Sequence, residues 1–241
     1  MKTRISQAYP NRVEVRGRDL TGELMGRLTF TEYFHLLLTG EEPTEEQRFF
    51  LDLLLVSIAE HGLMPTNVAA RMTLAADPDS LQGAVAAGIL GCGPVILGTS
   101  EECARLLEGN LDRDPLEIAQ EIHAAGDKMP GFGHPVHTPV DPRAERILEL
   151  ADEHGVSGPH TALARGLREA VAEVWGKPLP MNVSMPIASV LLDLGFPASS
   201  VKAVPILART ASLLAHLAEE QDEPIGLELA AKAEEAVDYE R

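Results

Sequence analysis

Cysteine, aromatic residues and positive charge are all scarce in this 241-residue chain. It has two cysteines, an aromatic share of 4%, and 20 lysines and arginines against 37 acids, for a formal charge of −17. Cys92 and Cys103 lack close metal-ligand spacing, so they read as reduced core thiols rather than a disulfide or a zinc site. The acidic balance repels nucleic acid and anionic membrane, which excludes both as expected partners. It also means that any anionic ligand needs a local cluster of arginines working against the overall field. The opening "MKTRISQAYP" has no apolar core of a secretory leader, and no apolar run approaches the length of a membrane span. The expectation is a cytoplasmic protein. Glycine-rich phosphate loops, zinc motifs, nucleophile elbows, solenoid repeats and low-complexity tracts are likewise missing.

What is present is helical pattern. Thr29 with Glu32 and Thr44 with Gln47 make two capping boxes ahead of apolar runs. They predict a helix ending near Gly40 and a second from about Glu45 to His61-Gly62. Further helices are predicted at 66–76, 81–91, 100–108, 115–125, 142–154, 161–175 and 185–194. A long one runs from about Ser199 to Glu220, where Pro205 either kinks the helix or marks a late start. "RVEVR" (12–16) alternates and reads as a short extended arm; nothing else reads as a strand. The charged tail "AAKAEEAVDYER" reads as partly ordered. The fold class is therefore all-α.

Four residues stand out from this pattern. In "GFGHPVHTPVDPRAER" (131–146), His134 follows two glycines, and Asp141-Pro142 reads as the N-cap and first residue of a helix. Arg143 then lies at the positive end of a helix dipole, the wrong end for a cation unless an anion binds there. Its plain alternative is an ion pair with Glu145 or Glu117. His61 ends a strongly apolar helix, where the plain alternative is a C-terminal histidine complementing the dipole. Arg209 interrupts "AVPILARTASLLAHLA" with no acid near it in sequence, and a buried guanidinium needs a partner. A bidentate ligand carboxylate would serve. His216, seven residues on, falls on the same face. Two histidines and two arginines together point to a site for a di- or tricarboxylate whose carbonyl or hydroxyl a histidine polarises.

The segment 131–146 resembles the Gly-X-Gly-His…Asp-Pro-Arg motif of the citrate synthase superfamily. "AEHGLMPTNVAAR", "GCGPVILG", "MNVSMPIASVLLDLGFP" and "ILARTASLLAHLAEE" follow the family order. With "PNRVEVRGRDL" and "HLLLTGEEPT", the likeness points toward the short bacterial citryl-CoA lyases and the lyase domain of ATP-citrate lyase. The resemblance implies a large helical domain from residues 1–98 and 195–241, a smaller one from 99–194, a site in the cleft between them, and a homodimer. By the same resemblance, His61 touches the oxaloacetate end of the substrate and His134 bonds its keto or hydroxyl oxygen, while Arg143 and Arg209 bind its carboxylates. No separate cofactor is implied, since coenzyme A is part of the substrate.

Two departures bear on activity. The family's Asn-Val-Asp carboxylate, which moves a proton on the acetyl-CoA methyl, is replaced by Ser184, here read as a helix N-cap. Ile96 or Leu97 stands where synthases carry the histidine that stabilises the thioester enolate, a histidine also absent from the ATP-citrate lyase domain. His134 is followed by Pro135 where arginine is common. A serine hydroxyl has no useful pKa as a base near neutrality. Cleavage of citryl-CoA, with His134 or His61 as base and water or His137 protonating the enolate, fits the kept residues better than condensation. The competing expectation is a non-catalytic paralogue that binds a dicarboxylate or acyl-CoA; decarboxylative or synthase-type acyl transfer is a third.

Overall fold

Among residues 1–240, which the computed structural model describes, a small N-terminal sheet precedes twelve α-helices. The sheet comprises β1 (Ser6–Tyr9), β2 (Arg12–Val15) and β3 (Arg18–Asp19), antiparallel in that order. β2 is the expected extended arm, but β1 and β3 are additions to the reading of sequence. β1 faces water along most of its length, so no burial pattern marks it; the tight turn at Pro10-Asn11 and its pairing with β2 hold it instead. Arg16 and Gly17 both take positive φ (51° and 79°) between β2 and β3, and the Arg16 guanidinium donates to Leu37 O at the end of the next helix. A π-helical turn at Leu20–Leu24 closes the arm onto a small cluster of Val15, Leu24 and Leu36.

The helices are α1 (Phe30–Thr39), α2 (Glu45–Ala59), α3 (Pro65–Ala76), α4 (Leu81–Leu90), α5 (Thr99–Gly109) and α6 (Pro115–Ala124). They continue with α7 (Pro142–Glu153), α8 (Pro159–Val174), α9 (Ser184–Asp193), α10 (Ala198–Val201), α11 (Ala203–Asp222) and α12 (Gly226–Glu235). Both capping boxes form as predicted. The long C-terminal helix is two: it breaks at Lys202, and Pro205 sits in the first turn of α11, where its missing N–H would have had no partner anyway. The late start is therefore the observed alternative. α12 takes in the first half of the charged tail, through Glu235.

α9 explains the layout. Every residue from Ser184 to Leu192 is buried, and a helix apolar on all sides must be enclosed. α2, α5, α7, α8 and α10 surround it. A second cluster joins Ala70 and Leu74 of α3, Ala84 of α4, and Leu213 and Leu217 of α11. The stretch Ala198–Asp222 also corrects one expectation, because it is long and apolar enough to cross a membrane, with a mean hydropathy of 1.2. Here it holds Arg209 and lies against α2, α3 and α4 as a core element.

Candidate active site

His61, His134, Arg143, Ser184 and Arg209 line a single cavity of about 360 Å³. They come from five places: the turn after α2, the 131–134 loop, the first turn of α7, the first residue of α9 and the body of α11. Ile96 and Leu97 line it too, with Ile58, Met64 and Val183 completing an apolar wall.

The loop carrying His134 is fixed by backbone. Gly133 N donates to Pro180 O (2.8 Å), Asn182 N to Gly131 O (2.8 Å), and Asn182 Nδ2 to Gly133 O (3.0 Å). Gly131 is required twice over: its φ is +78°, and a Cβ there would meet Cys103 Sγ and Met185 Cβ, each at 2.8 Å. His134 Nδ1 accepts the N–H of Val136 (3.0 Å) and of His137 (2.9 Å). The neutral ring therefore carries its proton on Nε2, a tautomer assigned from the hydrogen bonds. His134 is thus left with a single donor, its Nε2–H. Burial, then His137, His61 and Arg143, hold its pKa below the usual histidine value, with Asp141 opposing.

His61 lies just beyond α2, which ends at Ala59, so it does not close a helix dipole. Glu60 sets the turn: one oxygen accepts the N–H of His61 (2.9 Å) and Gly62 (2.7 Å), the other the Ser212 hydroxyl and His216 Nε2 (3.0 Å). His61 Nε2 lies 3.0 Å from His137 Nε2. Burial, then Arg143, His137 and Arg209, depress the His61 pKa, again opposed by Asp141. It too is a neutral imidazole near pH 7.

The two arginines differ. Arg209 is 2% exposed; its Nη1 donates to Asn67 Oδ1 (2.7 Å) and its Nε is the one buried polar side-chain atom without a partner among the described residues. It forms no ion pair within them, and burial lowers its pKa. Arg143, by contrast, is gripped by Asp141, whose carboxylate accepts its Nε (3.0 Å), Nη2 (2.8 Å) and backbone N–H (3.1 Å). The acids expected from sequence, Glu145 and Glu117, do not take it; Glu145 pairs with Arg168. Asp141 is fully buried and also accepts Val183 N (3.1 Å), so it ties α7 to the start of α9. Burial pushes its carboxyl up, but Arg143 outweighs this and leaves it below the ordinary value.

Two further expectations change. Ser184 is not an N-cap: Val183 occupies that position, and Asn182 Oδ1 accepts Ser184 N (3.1 Å), leaving the serine side chain in the cavity wall. His216 does not enter the site. Its Nδ1 accepts from Arg71 (Nη2 at 2.9 Å), and Arg71 in turn is paired with Glu219 and with Glu220 (2.9 Å), while Glu220 also accepts the N–H of Ile225 and Gly226 at the start of α12.

A family model for the citrate synthase C-terminal domain matches residues 1–226. The chain belongs to the citrate synthase family. It is similar in structure to citryl-CoA lyase from Hydrogenobacter thermophilus, with a TM-score of 0.85 and 32% identity over 91% of this chain and 86% of that one. ATP citrate lyase from Methanothrix soehngenii, in complex with citrate and coenzyme A, superimposes with a TM-score of 0.81 over 92% of this chain and 39% of that chain. At 19% identity, that likeness attests the fold. Citrate synthase of Haloferax volcanii is 26% identical over 195 residues, 79% of this chain and 51% of that protein. The chain spans about half the length of the curated relatives it matches.

Within this family fold, a larger cavity of about 730 Å³ shares Val95, Thr99, Gly133, His134, Pro135 and Asn182 with the first, and adds Lys128, Lys177 and Trp175. His61, His134 and His137 offer ligand nitrogens within 4.8 Å of one another. They fit a metal poorly, because binding through His134 Nε2 would move its proton to Nδ1, against two backbone N–H groups. Reading the sequence missed Glu60, Asn67, His137's contact with His61 and the grip of Asp141. Asn67 left a usable signal, a polar residue on the apolar stretch after His61; the others act through partners distant in the chain.

Proposed function

We propose that this chain is a carbon–carbon lyase of citryl-CoA lyase type, cleaving a 3-hydroxy-acyl-CoA such as citryl-CoA to acetyl-CoA and oxaloacetate. The observation that carries this reading is Arg209: a buried guanidinium with an unpartnered Nε, without a carboxylate of the protein, in a cavity with two neutral imidazoles. A ligand carboxylate supplies the missing counter-charge. Arg143 takes a second carboxylate with the face Asp141 leaves free. His134 Nε2–H donates to the tertiary oxygen and stays with it as it becomes the ketone of oxaloacetate. His61 removes the hydroxyl proton; the carbon–carbon bond breaks, its electrons form the acetyl-CoA enolate, and water or His137 protonates the enolate carbon. Positioning and preorganised donors supply the acceleration.

The adjoining cavity with Lys128, Lys177 and Trp175 suits the coenzyme A part of the substrate, whose phosphates are anionic. Closure of a 99–194 domain onto the rest, in a cytoplasmic homodimer, belongs to the same proposal; it would exclude water from the cleft. The test is a coupled assay with purified protein, citryl-CoA in one reaction and acetyl-CoA plus oxaloacetate in another. Cleavage without condensation is expected. No turnover in either, with measurable oxaloacetate binding, would replace the lyase by the second reading, a non-catalytic paralogue. Ser184 favours that second reading, because it leaves the cavity wall without the family's carboxylate. Ser184→Asp is expected to create or raise condensation; an unchanged rate in a folded variant would remove Ser184 from the aspartate position.

A further inference from the structure

Two imidazole nitrogens 3.0 Å apart, His61 Nε2 and His137 Nε2, cannot both present lone pairs or both present protons. One proton lies on that line. The rings cross at 81°, with centroids 5.1 Å apart, an edge-on meeting rather than a stack. His61 lines the cavity and His137 does not; His137 is only part-buried and lies among the exposed residues Pro135, Val136, Thr138 and Pro139. The pair therefore runs from the cleft toward water.

The other ionisable groups lining the cavity offer no such exit. Guanidiniums hold their protons and His134 Nδ1 is closed by two backbone donors, while Asp141, fully buried behind the lining, is engaged by Arg143. Ser184 supplies no carboxylate. Facing His61 are Arg143 and Asp141 from the α7 end, Arg209 from α11, and His134 and His137 from the loop. Glu60, its chain neighbour, is turned to backbone N–H groups, Ser212 and His216.

We propose that His61 and His137 form a two-imidazole relay that carries the proton taken from the substrate hydroxyl out of the cleft. The proposal rests on the lyase reading. The hydroxyl O–H breaks as an N–H forms on His61 Nδ1; the proton on the shared line passes from His61 Nε2 to His137 Nε2; and His137 releases its Nδ1 proton to water. The enolate takes a proton from water, so none is gained or lost overall, and exchange with water in the emptied cleft returns His61 to its Nε2–H form and His137 to its Nδ1–H form before the next turnover. His61 is the catalytic group, and His137 acts through it.

Two measurements test this. In the unaltered protein without substrate, a through-hydrogen-bond coupling between the two Nε2 nitrogens is expected by ¹⁵N NMR; its absence in assigned spectra overturns the shared proton, whatever the protein turns over. In citryl-CoA cleavage, His137→Phe and His137→Gln are both expected to lower kcat about 100-fold with KM changed less than about twofold. Glutamine can bond His61 but cannot pass a proton, so a full rate in His137→Gln reduces His137 to a positioning residue and overturns the relay. If the unaltered protein cleaves no citryl-CoA, the lyase reading and the direction of transport fall together, while the coupling separately decides whether the proton is shared.

Discussion

Arg71 on α3 and Arg209 on α11 are both sealed from water, at 1% and 2% exposure, and are held in opposite ways. Arg71 meets Glu219 and Glu220 and leans on His216, so its charge is answered within the protein. Arg209 has one neutral amide oxygen, an idle Nε and a cavity in front of it. Burying a cation is costly in either place. The first arrangement offsets that cost internally and makes structure; the second leaves it for a ligand to offset. Burial of a charge thus points to a site only when its counter-charge is missing.

Arg71→Met should have the largest effect. It strands the buried Glu220 carboxylate and is expected to lower unfolding stability by about 3–5 kcal/mol in urea titration. Arg209→Met removes a buried cation that no acid answers, so stability should move by less than about 1 kcal/mol. Oxaloacetate affinity by calorimetry should instead fall about 100-fold, about 2.7 kcal/mol. If Arg209→Met unfolds the protein and Arg71→Met does not, the contrast is wrong. Arg143 is intermediate. Arg143→Gln should weaken oxaloacetate about 10-fold, and, because it deserts buried Asp141, also cost about 1–3 kcal/mol of stability.

The smallest effect is on pH. Burial and the neighbouring cations hold His61 and His134 below the ordinary histidine value, so the unfolded chain takes up their protons first as pH falls. Their contribution is complete above pH 6.5 and is lost as pH drops through the depressed native values. Cleavage should fade over the same acid range, as neutral His61 becomes imidazolium. A rate that rises on acidification would contradict a basic role for His61.

The helices were legible because their signals are local: Thr29 with Glu32, Thr44 with Gln47, and Asp141-Pro142 each announce a start within four residues. β1 was not, since its strand is exposed and held by a turn and by its pairing with β2. Four of the five cavity residues could be named because each is odd in its own neighbourhood, above all Arg209 in an apolar run; Ser184 is reached only through the family resemblance. Arg71 is just as odd in "NVAARMTLAA" and went unremarked, because its partners His216 and Glu220 lie 145 and 149 residues on. Asp141 announces itself in sequence as a cap, which it is, but its second oxygen also holds Arg143 and Val183. Sequence shows that a residue needs a partner and not which partner it gets.

Glu220 closes the first turn of α12 with the same carboxylate that steadies Arg71, and from there hydrogen bonds lead through His216 and Glu60 to the backbone of His61. The start of α12 is thereby tethered to the turn that carries His61. Trimming the chain past Asp222 removes the Ile225 and Gly226 N–H groups from Glu220, and a lowered turnover in such a preparation would report on that tether rather than on the chemistry.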